Sequence, residues 1–318
     1  MLSKPVWISL MKLYIWIVIA SGNAFVCGSV MGEGRIFDGM RAESSNRGYP
    51  SAPAADKRQF TIFYPTPEKL MREMSTDRPD TTESPYTVDA GHFQFELSLA
   101  AYAYNDDGGI RTDSFGVLPG NIKVGLLNNV DLQFVFTPYE RQETEGNSNA
   151  DVADGFSDDT QLRLKINLWG NDGLAPPGLG GTAFAIMPFV KFPTGSDDLS
   201  NDHVEGGVIF PLATGLPGGF GLSLMAEVDV VYNGGEDDYG IEFVHTAALG
   251  HAVAGNLGAY VEYVGIAPHD TGAAYQAIGS AGFTYAMNDD WILDFGGTAS
   301  PSNDADDFSV FVGTSFRL

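Results

Sequence analysis

Charged side chains recur at alternate positions within stretches that are otherwise apolar, and this spacing determines what chemistry the sequence can support. In the stretch 160–168, positions 162, 164, 166 and 168 are leucine or isoleucine, and Arg163 and Lys165 lie between them. Charges enclosed on one face of a sheet either line a water-filled path or form ion pairs that hold a filled barrel rigid. The sequence leaves both alternatives open. The residues that we predict to line a pore are Glu96, Lys123, Asp131, Arg163, Lys165, Lys191, Glu205, Glu227, Asp229, Glu242, Glu262 and Asp294.

The other reactive residue types do not form a recognisable active site. The chain has five histidines and several serines, but no Gly-x-Ser-x-Gly motif, and no serine and histidine stand out as a pair. It has no glycine-rich phosphate loop and no histidine cluster with metal-ligand spacing. We therefore predict that the protein is not an enzyme and has no cofactor and no metal site. A lipid hydrolase with a reactive serine is the alternative enzyme class.

The charges lie in twelve alternating segments, most of which are close to the roughly 9 to 11 residues that a tilted membrane strand needs. In each segment the charged residues occupy the parity opposite to the apolar ones. A membrane barrel would turn the apolar side chains to lipid and the charges inward, although a soluble barrel with an apolar core would sort them equally well. The segments are 92–104, 114–126, 130–139, 160–169, 182–194, 203–212, 220–232, 239–250, 257–266, 274–285, 291–298 and 308–318.

The connections between these segments fall into two alternating classes. The odd-numbered connections together hold 20 acidic and two basic residues, and the even-numbered ones hold three acidic residues and no base. Strands that run up and down would place the two classes at opposite ends of a barrel. Short periplasmic turns and longer polar external loops are typical of outer-membrane barrels, whereas a soluble sandwich has no reason to sort its loops in this way.

The acidic excess limits the partners that the protein can have. The formal net charge is −24, and residues 92–318 hold 31 acidic and seven basic residues. Such a surface repels phosphates, so we predict no nucleic-acid binding. The acidic loops could collect divalent cations that bridge them to anionic lipid headgroups, but none has the spacing of a dedicated calcium site, and solvated charge is the alternative. These acidic stretches are 151–159, 235–238 and 303–307.

The N-terminus predicts export. Lys4 and Lys12 precede the apolar run 13–20, and small residues follow it, which is typical of a secretory signal peptide over 1–27. The run is too short for a membrane anchor. Cys27 is the only cysteine, so an internal disulfide is excluded, and acylation of Cys27 in a lipoprotein is the alternative to simple cleavage.

The next residues have no sustained periodicity. We expect a linker over 28–69 and a polar lead-in over 70–91, with one or two helical turns between Pro67 and Met74 because Pro67 suits a first helical position. The barrel domain is predicted over 92–318.

A polar block before the first strand, together with several strand motifs, resembles a bacterial family. The resemblance is to an outer-membrane transporter family named for the MetA pathway of phenol degradation, and it covers about 70–318. It implies an outer-membrane transport function without specifying the solute. The final strand, which carries Phe316 and Leu318, is the segment that the outer-membrane assembly machinery would recognise. The motifs that carry the resemblance are 75–88, 91–96, 162–164, 188–195, 260–263 and 293–296.

The polar block is too polar to face lipid and too rich in proline to be a central strand. We expect it to fold into the periplasmic mouth as a hatch, with Asp77, Arg78, Asp80 and Glu83 paired to charges of the lumen. An ordered lead-in that caps the first strand is the alternative. We refer to residues 70–91 as the hatch.

These observations predict an all-β transmembrane barrel of about twelve antiparallel up-and-down strands in the outer membrane of a Gram-negative cell. The expected function is passive uptake of small, aromatic or weakly apolar solutes. The alternative is a sealed structural or adhesive barrel with cation-binding acidic loops. The expected partners are outer-membrane lipid and lipopolysaccharide, a small-molecule solute, divalent cations at the acidic loops and the assembly machinery.

Overall fold

The computed structural model describes residues 56–146, 150–196, 199–234, 237–268, 273–302 and 305–318, without the side chain of residue 158. The predicted signal peptide and the linker as far as residue 55 lie outside the described residues, as do parts of the acidic stretches 235–238 and 303–307. No helix in the described part of the chain is long and apolar enough to cross a membrane. A 3-10 helix at Glu68–Leu70 lies where the helical turns are predicted.

The rest of the described chain consists mainly of antiparallel strands. All twelve predicted segments coincide with strands, and the second segment is divided in two. The strands are β1 (Phe93–Asp107), β2 (Ile110–Val117), β3 (Gly120–Leu127), β4 (Val130–Glu145), β5 (Ala150–Trp169), β6 (Thr182–Phe192), β7 (Glu205–Leu216), β8 (Phe220–Asn233), β9 (Asp238–Ala254), β10 (Leu257–Ala267), β11 (Gln276–Asn288), β12 (Trp291–Ala299) and β13 (Phe308–Arg317).

The sheet closes on itself. From β4 to β13 each strand pairs with its neighbours in sequence, and β13 returns to pair with β1 over most of its length. Strands β2 and β3 share one position, because both lie between β1 and β4 and pair with different parts of those strands. Leu118 and Pro119 interrupt this position, and proline cannot donate a ladder hydrogen bond. The fold is therefore a closed antiparallel barrel with twelve strand positions, as predicted.

Tight turns and both ends of the barrel domain meet at one end, which we call the turn end. Asn128 and Asn129 join β3 to β4, and the turn between β7 and β8 contains Gly218 and Gly219 with φ values of +87° and +83°. Glycine adopts such angles at no steric cost. The chain leaves β13 beside the start of β1, where the N–H of residue 318 donates a 2.8 Å hydrogen bond to the carbonyl of residue 93. The opposite end, which we call the loop end, carries the acidic connections.

The packing of this barrel is inverted. Leu162 on β5 and Phe134 on β4 are 42% and 44% exposed, whereas Arg163 and Lys165 of β5 are buried. A soluble barrel with an apolar core would enclose the leucine and the phenylalanine instead. Apolar residues outside and ionised ones inside are what a bilayer requires of a barrel.

The sheet extends further at the loop end than the sequence predicts. The stretch 140–159 is predicted as a connection, but β4 continues to Glu145 and β5 begins at Ala150, so the acidic stretch 151–159 is strand. That prediction was wrong because strands are detected in a sequence by the alternation of hydrophobic residues. A hairpin that extends beyond the bilayer needs no apolar face, so it lacks this signal.

Candidate functional site in the barrel lumen

The hatch enters the lumen from the turn end. Its central residues are buried, and it forms hydrogen bonds with inward-facing side chains of β1, β3, β4, β5, β8, β9, β10 and β12. The hydroxyl of Thr82 lies 2.6 Å from that of Thr246, which is midway along β9. The hatch therefore penetrates more deeply than the predicted position at the periplasmic mouth. A lead-in that only capped β1 would not make these contacts.

Asp77 lies at the centre of a buried ionic cluster. Its carboxylate accepts hydrogen bonds from Lys123 Nζ and from Lys165 Nζ, the latter at 2.8 and 2.9 Å. Glu96 lies beside it, 2.5 Å from Lys123 Nζ, and accepts a 2.9 Å hydrogen bond from the backbone N–H of Asp77. Burial acts to raise the pKa of Asp77, but the two ammonium groups outweigh it and hold this pKa below its usual range.

Arg78 connects the hatch to the strands at which the barrel closes. Its guanidinium donates to both carboxylate oxygens of Asp294, at 2.6 and 3.1 Å, and to Ser98 Oγ. It also lies 5.6 Å from the ring centroid of Phe311. A Cβ atom at Gly313 of β13 would lie 2.2 to 2.7 Å from guanidinium atoms of Arg78. Glycine within a strand commonly marks such a close approach.

Glu83 and Glu262 hold the next part of the hatch in two different ways. Glu83 lies 2.5 Å from the guanidinium of Arg163. Glu262 instead accepts hydrogen bonds from the backbone N–H groups of Thr81 and Thr82, at 2.8 to 3.0 Å, and from the hydroxyl of Thr82 at 2.7 Å. Backbone donors can stabilise a carboxylate without a base.

Asp80 departs from the predicted pairing. It is buried, its Oδ1 atom has no hydrogen-bond partner, and it forms no ion pair with a described base. Burial and the nearby carboxylate of Glu262 raise the pKa of Asp80 well above its usual range. The prediction of an ion pair for Asp80 was wrong, because the hatch places this side chain beside another carboxylate, and sequence alone does not show which wall each residue faces.

A second network anchors the hatch at the turn end. Lys57 lies 3.2 Å from Asp89 and 2.8 Å from Asp172, and the guanidinium of Arg72 lies 3.3 Å from Asp172. The backbone N–H of Arg72 donates a 2.7 Å hydrogen bond to Asp89. These contacts fix both ends of the hatch relative to the turn between β5 and β6. None of these four residues stands in an alternating segment, so the strand pattern did not single them out.

The remaining residues predicted to line the pore also face inward. Asp131 accepts a 3.0 Å hydrogen bond from the hatch backbone at residue 88, and Lys191 pairs with Glu205 at 3.0 Å. Glu227, Asp229 and Glu242 border a cavity of about 80 Å³ on the loop-end side of the hatch. The structure thus distributes the twelve residues over the whole lumen, and their pore-lining role stays a prediction.

Sequence reasoning missed the apolar part of the lumen. A buried cluster on the inward parity of β6 to β11 is continuous with the wall of the cavity, which includes Ile209, Val244 and Val264. The available signal was the presence of apolar residues on the charged parity, for example Val244 two positions after Glu242. The cluster consists of Met187, Ile209, Met225, Val244, Val264, Ile266, Ile278 and Ala305, with Phe189 packed against it.

In the described residues, no group of three or more His, Cys, Asp or Glu side chains is arranged to hold a metal ion. His245 faces outward about midway along β9, and its ring nitrogen Nε2 lies 3.1 Å from the Tyr275 hydroxyl. Cation binding at the acidic loops stays a prediction.

Residues 76–318 match the family described as the MetA-pathway of phenol degradation. The chain belongs to this family. The matched region begins within the hatch, at residue 76, and includes the whole barrel. A search of curated proteins found no match.

Solved structures show the fold of this family member. An outer-membrane channel from Pseudomonas putida F1 is similar at 11% identity and a TM-score of 0.54, over 76% of this chain and 99% of that one. The NanC porin and the KdgM porin follow, both at 9% identity, with TM-scores of 0.43 and 0.41 over 70% of this chain and 100% and 98% of theirs. The similarity to the Pseudomonas putida structure agrees with the closed antiparallel barrel described above.

Proposed function

We propose that the protein is an outer-membrane channel for passive passage of small, weakly apolar solutes, aromatic ones included, and that the hatch closes its lumen. The observation that carries this proposal is the composition of the lumen. A cavity with apolar and charged walls lies toward the loop end, and the hatch, which is not a barrel strand, separates it from the turn end.

The cavity alone is too small to act as an open path. Its volume of about 80 Å³ is well below the roughly 300 to 1,000 Å³ of sites that enclose drug-sized ligands. Passage therefore requires the hatch to shift or leave. An element held by ion pairs can move as a unit once those pairs separate, whereas the hydrogen-bonded barrel wall keeps its shape.

Deletion of residues 70–88 tests this role of the hatch. We expect the single-channel conductance in planar bilayers to increase several-fold, because the segment that fills the turn-end half of the lumen is removed. Circular dichroism and the heat-dependent shift in gel mobility typical of folded barrels would verify the variant. Equal conductance in folded full-length and deleted proteins would contradict hatch closure.

The second candidate function is a sealed structural barrel, which the dense ion pairing around Asp77 favours. Liposome swelling with the full-length protein separates the two functions. Swelling in small aromatic alcohols or short sugars above that of protein-free liposomes supports a channel. If the full-length protein causes no swelling, and swelling increases only when residues 70–88 are deleted, the result supports a sealed barrel.

A further inference from the structure

Three carboxylates at the loop-side cavity form no ion pair with a described base. Asp229 and Glu242 stand directly opposite each other on β8 and β9, and Glu227 lies two residues before Asp229 on the same face of β8. Like charges directly opposite on neighbouring strands destabilise a sheet. This arrangement is costly unless a positive group lies between the strands or a proton neutralises one of the acids.

The two bases that border the cavity are engaged by other acids. Arg163 pairs with Glu83 of the hatch at 2.5 Å, and Lys191 pairs with Glu205 at 3.0 Å. The cavity is therefore lined by two internally neutral pairs and three additional carboxylates. Its electrostatic potential favours cations over anions.

Two carboxylate oxygens in this cavity have no donor. Asp229 Oδ1 and Glu242 Oε2 are buried without a hydrogen-bond partner, and the two residues are 9% and 7% exposed. A buried carboxylate oxygen without a donor carries an uncompensated desolvation cost. Both side chains line the cavity, so a donor that enters it can bind them.

The acids have apolar neighbours on the same wall of the cavity. Ile209 on β7 and Val244 on β9 both stand directly opposite Glu227, and Val264 lines the cavity from the next strand, β10. These residues continue into the buried cluster of β6 to β11. A bare metal ion would gain nothing from this wall, and the described acids are not arranged to hold one. A ligand with a positive donor at one end and a short alkyl body at the other would contact both the carboxylates and their apolar neighbours.

We propose that this cavity binds a small organic ammonium ion, with the –NH₃⁺ group donating to Asp229 and Glu242 and the alkyl body against Ile209, Val244 and Val264. The proposal rests on the channel function proposed above and adds small alkylammonium ions to the weakly apolar solutes named there. Charge-assisted hydrogen bonds are the strong class of hydrogen bond, and one ammonium group has enough protons to donate to both Asp229 Oδ1 and Glu242 Oε2.

Isothermal titration calorimetry on the full-length protein in detergent tests this site with three isosteric probes: isobutylamine, isobutanol and isobutyrate at neutral pH. We expect measurable binding of the amine and at least about tenfold weaker binding of the alcohol and the carboxylate. Asp229→Asn and Glu242→Gln should each weaken binding of the amine by about tenfold to a hundredfold. The matched control is Glu143→Gln, an exposed acid that pairs with Arg141 outside the lumen, and it should leave amine binding unchanged.

Three outcomes would overturn the proposal: no amine binding, equal affinity for amine and alcohol, or complete displacement of the amine by an equal concentration of Mg²⁺. Binding in detergent does not depend on conduction. Failure of the channel proposal would appear as absent conductance with amine binding intact, and failure of the ammonium site would appear as conductance without amine binding.

Discussion

The two halves of the lumen use the same residue types in opposite ways. In the hatch, Asp77, Arg78 and Glu83 each pair with a charge of opposite sign on the barrel wall. At the loop end, Asp229 and Glu242 face a cavity with oxygens that lack donors. In the account proposed above, the paired charges position the hatch, whereas the unpaired carboxylates are available to a solute.

This difference has an energetic consequence. A buried ion pair adds little net stability, but removing one partner leaves an uncompensated charge and costs about 3 to 5 kcal/mol. Docking of the hatch should therefore be sensitive to single substitutions that remove one partner of an ion pair between the hatch and the barrel wall. Substitutions of exposed pairs of the same chemical type should have little effect, about 0 to 1 kcal/mol.

Asp77→Asn should have the largest effect. It leaves Lys123 and Lys165 buried around a neutral amide, so the hatch should lose about 3 to 5 kcal/mol of docking free energy. The open probability in planar bilayers should rise by about a hundredfold or more. An unchanged open probability would show that this cluster does not hold the hatch.

Arg78→Ala should have a slightly smaller effect, because it leaves one buried charge, Asp294, without its ion-pair partner, whereas Asp77→Asn affects two lysines. The hatch should lose about 3 kcal/mol of docking free energy, which is again measured as an increase in open probability. Arg58→Ala is the matched control. Arg58 pairs with Asp56 by the same guanidinium–carboxylate geometry, but both residues are exposed, and the open probability should not change.

Gly313→Ala should have a moderate effect. The new methyl group would overlap the guanidinium of Arg78, which Asp294 holds in place, and overpacking of this kind costs about 1 to 3 kcal/mol. Gly279→Ala is the control, since the nearest atom to a Cβ there is 3.8 Å away. Equal open probabilities for the two variants would contradict the fitted contact between Arg78 and β13.

Asp80→Asn should have the smallest effect, and its effect should depend on pH. The pKa of Asp80 is raised in the docked hatch, so docking is strongest below the ordinary aspartate pKa of about 4 and weakens as pH rises toward the raised value. Glu262, Asp77 and Glu83 face the same region, and Glu83 also has a raised pKa, because of burial and of Asp77.

The wild-type open probability should therefore increase with pH above about 4. Asp80→Asn mimics the protonated side chain and should flatten part of this increase. A steeper pH response in the variant would contradict the sign of the argument.

The sequence predicted the barrel well because its signal is local. Alternation places Leu162 outward and Arg163 inward whatever the distant contacts are, and the acidic loops mark one end. The polar composition of the block around Asp77 also predicted a segment that avoids lipid. The partners of each hatch charge could not be read in this way, because Arg78 meets Asp294 across 216 positions of sequence.

Two further features were not predictable for physical reasons. The absence of a base beside Asp80 depends on how far the hatch enters the barrel, which no local pattern records. The apolar cluster around Ile209 was missed because an inward apolar residue has the same parity as an inward charge. Periodicity specifies the direction of a side chain and does not specify what fills the space that it faces.

The most direct test of hatch closure is a reversible disulfide between the hatch and the wall. Thr82 Oγ1 and Thr246 Oγ1 are 2.6 Å apart, which suits replacement of both threonines by cysteine in a Cys27→Ser background. We expect low conductance in planar bilayers while the disulfide is intact, a several-fold increase after dithiothreitol, and no response in the Thr246→Cys single variant. Identical conductance before and after reduction, with the disulfide verified by mass spectrometry, would contradict closure of the lumen by the hatch.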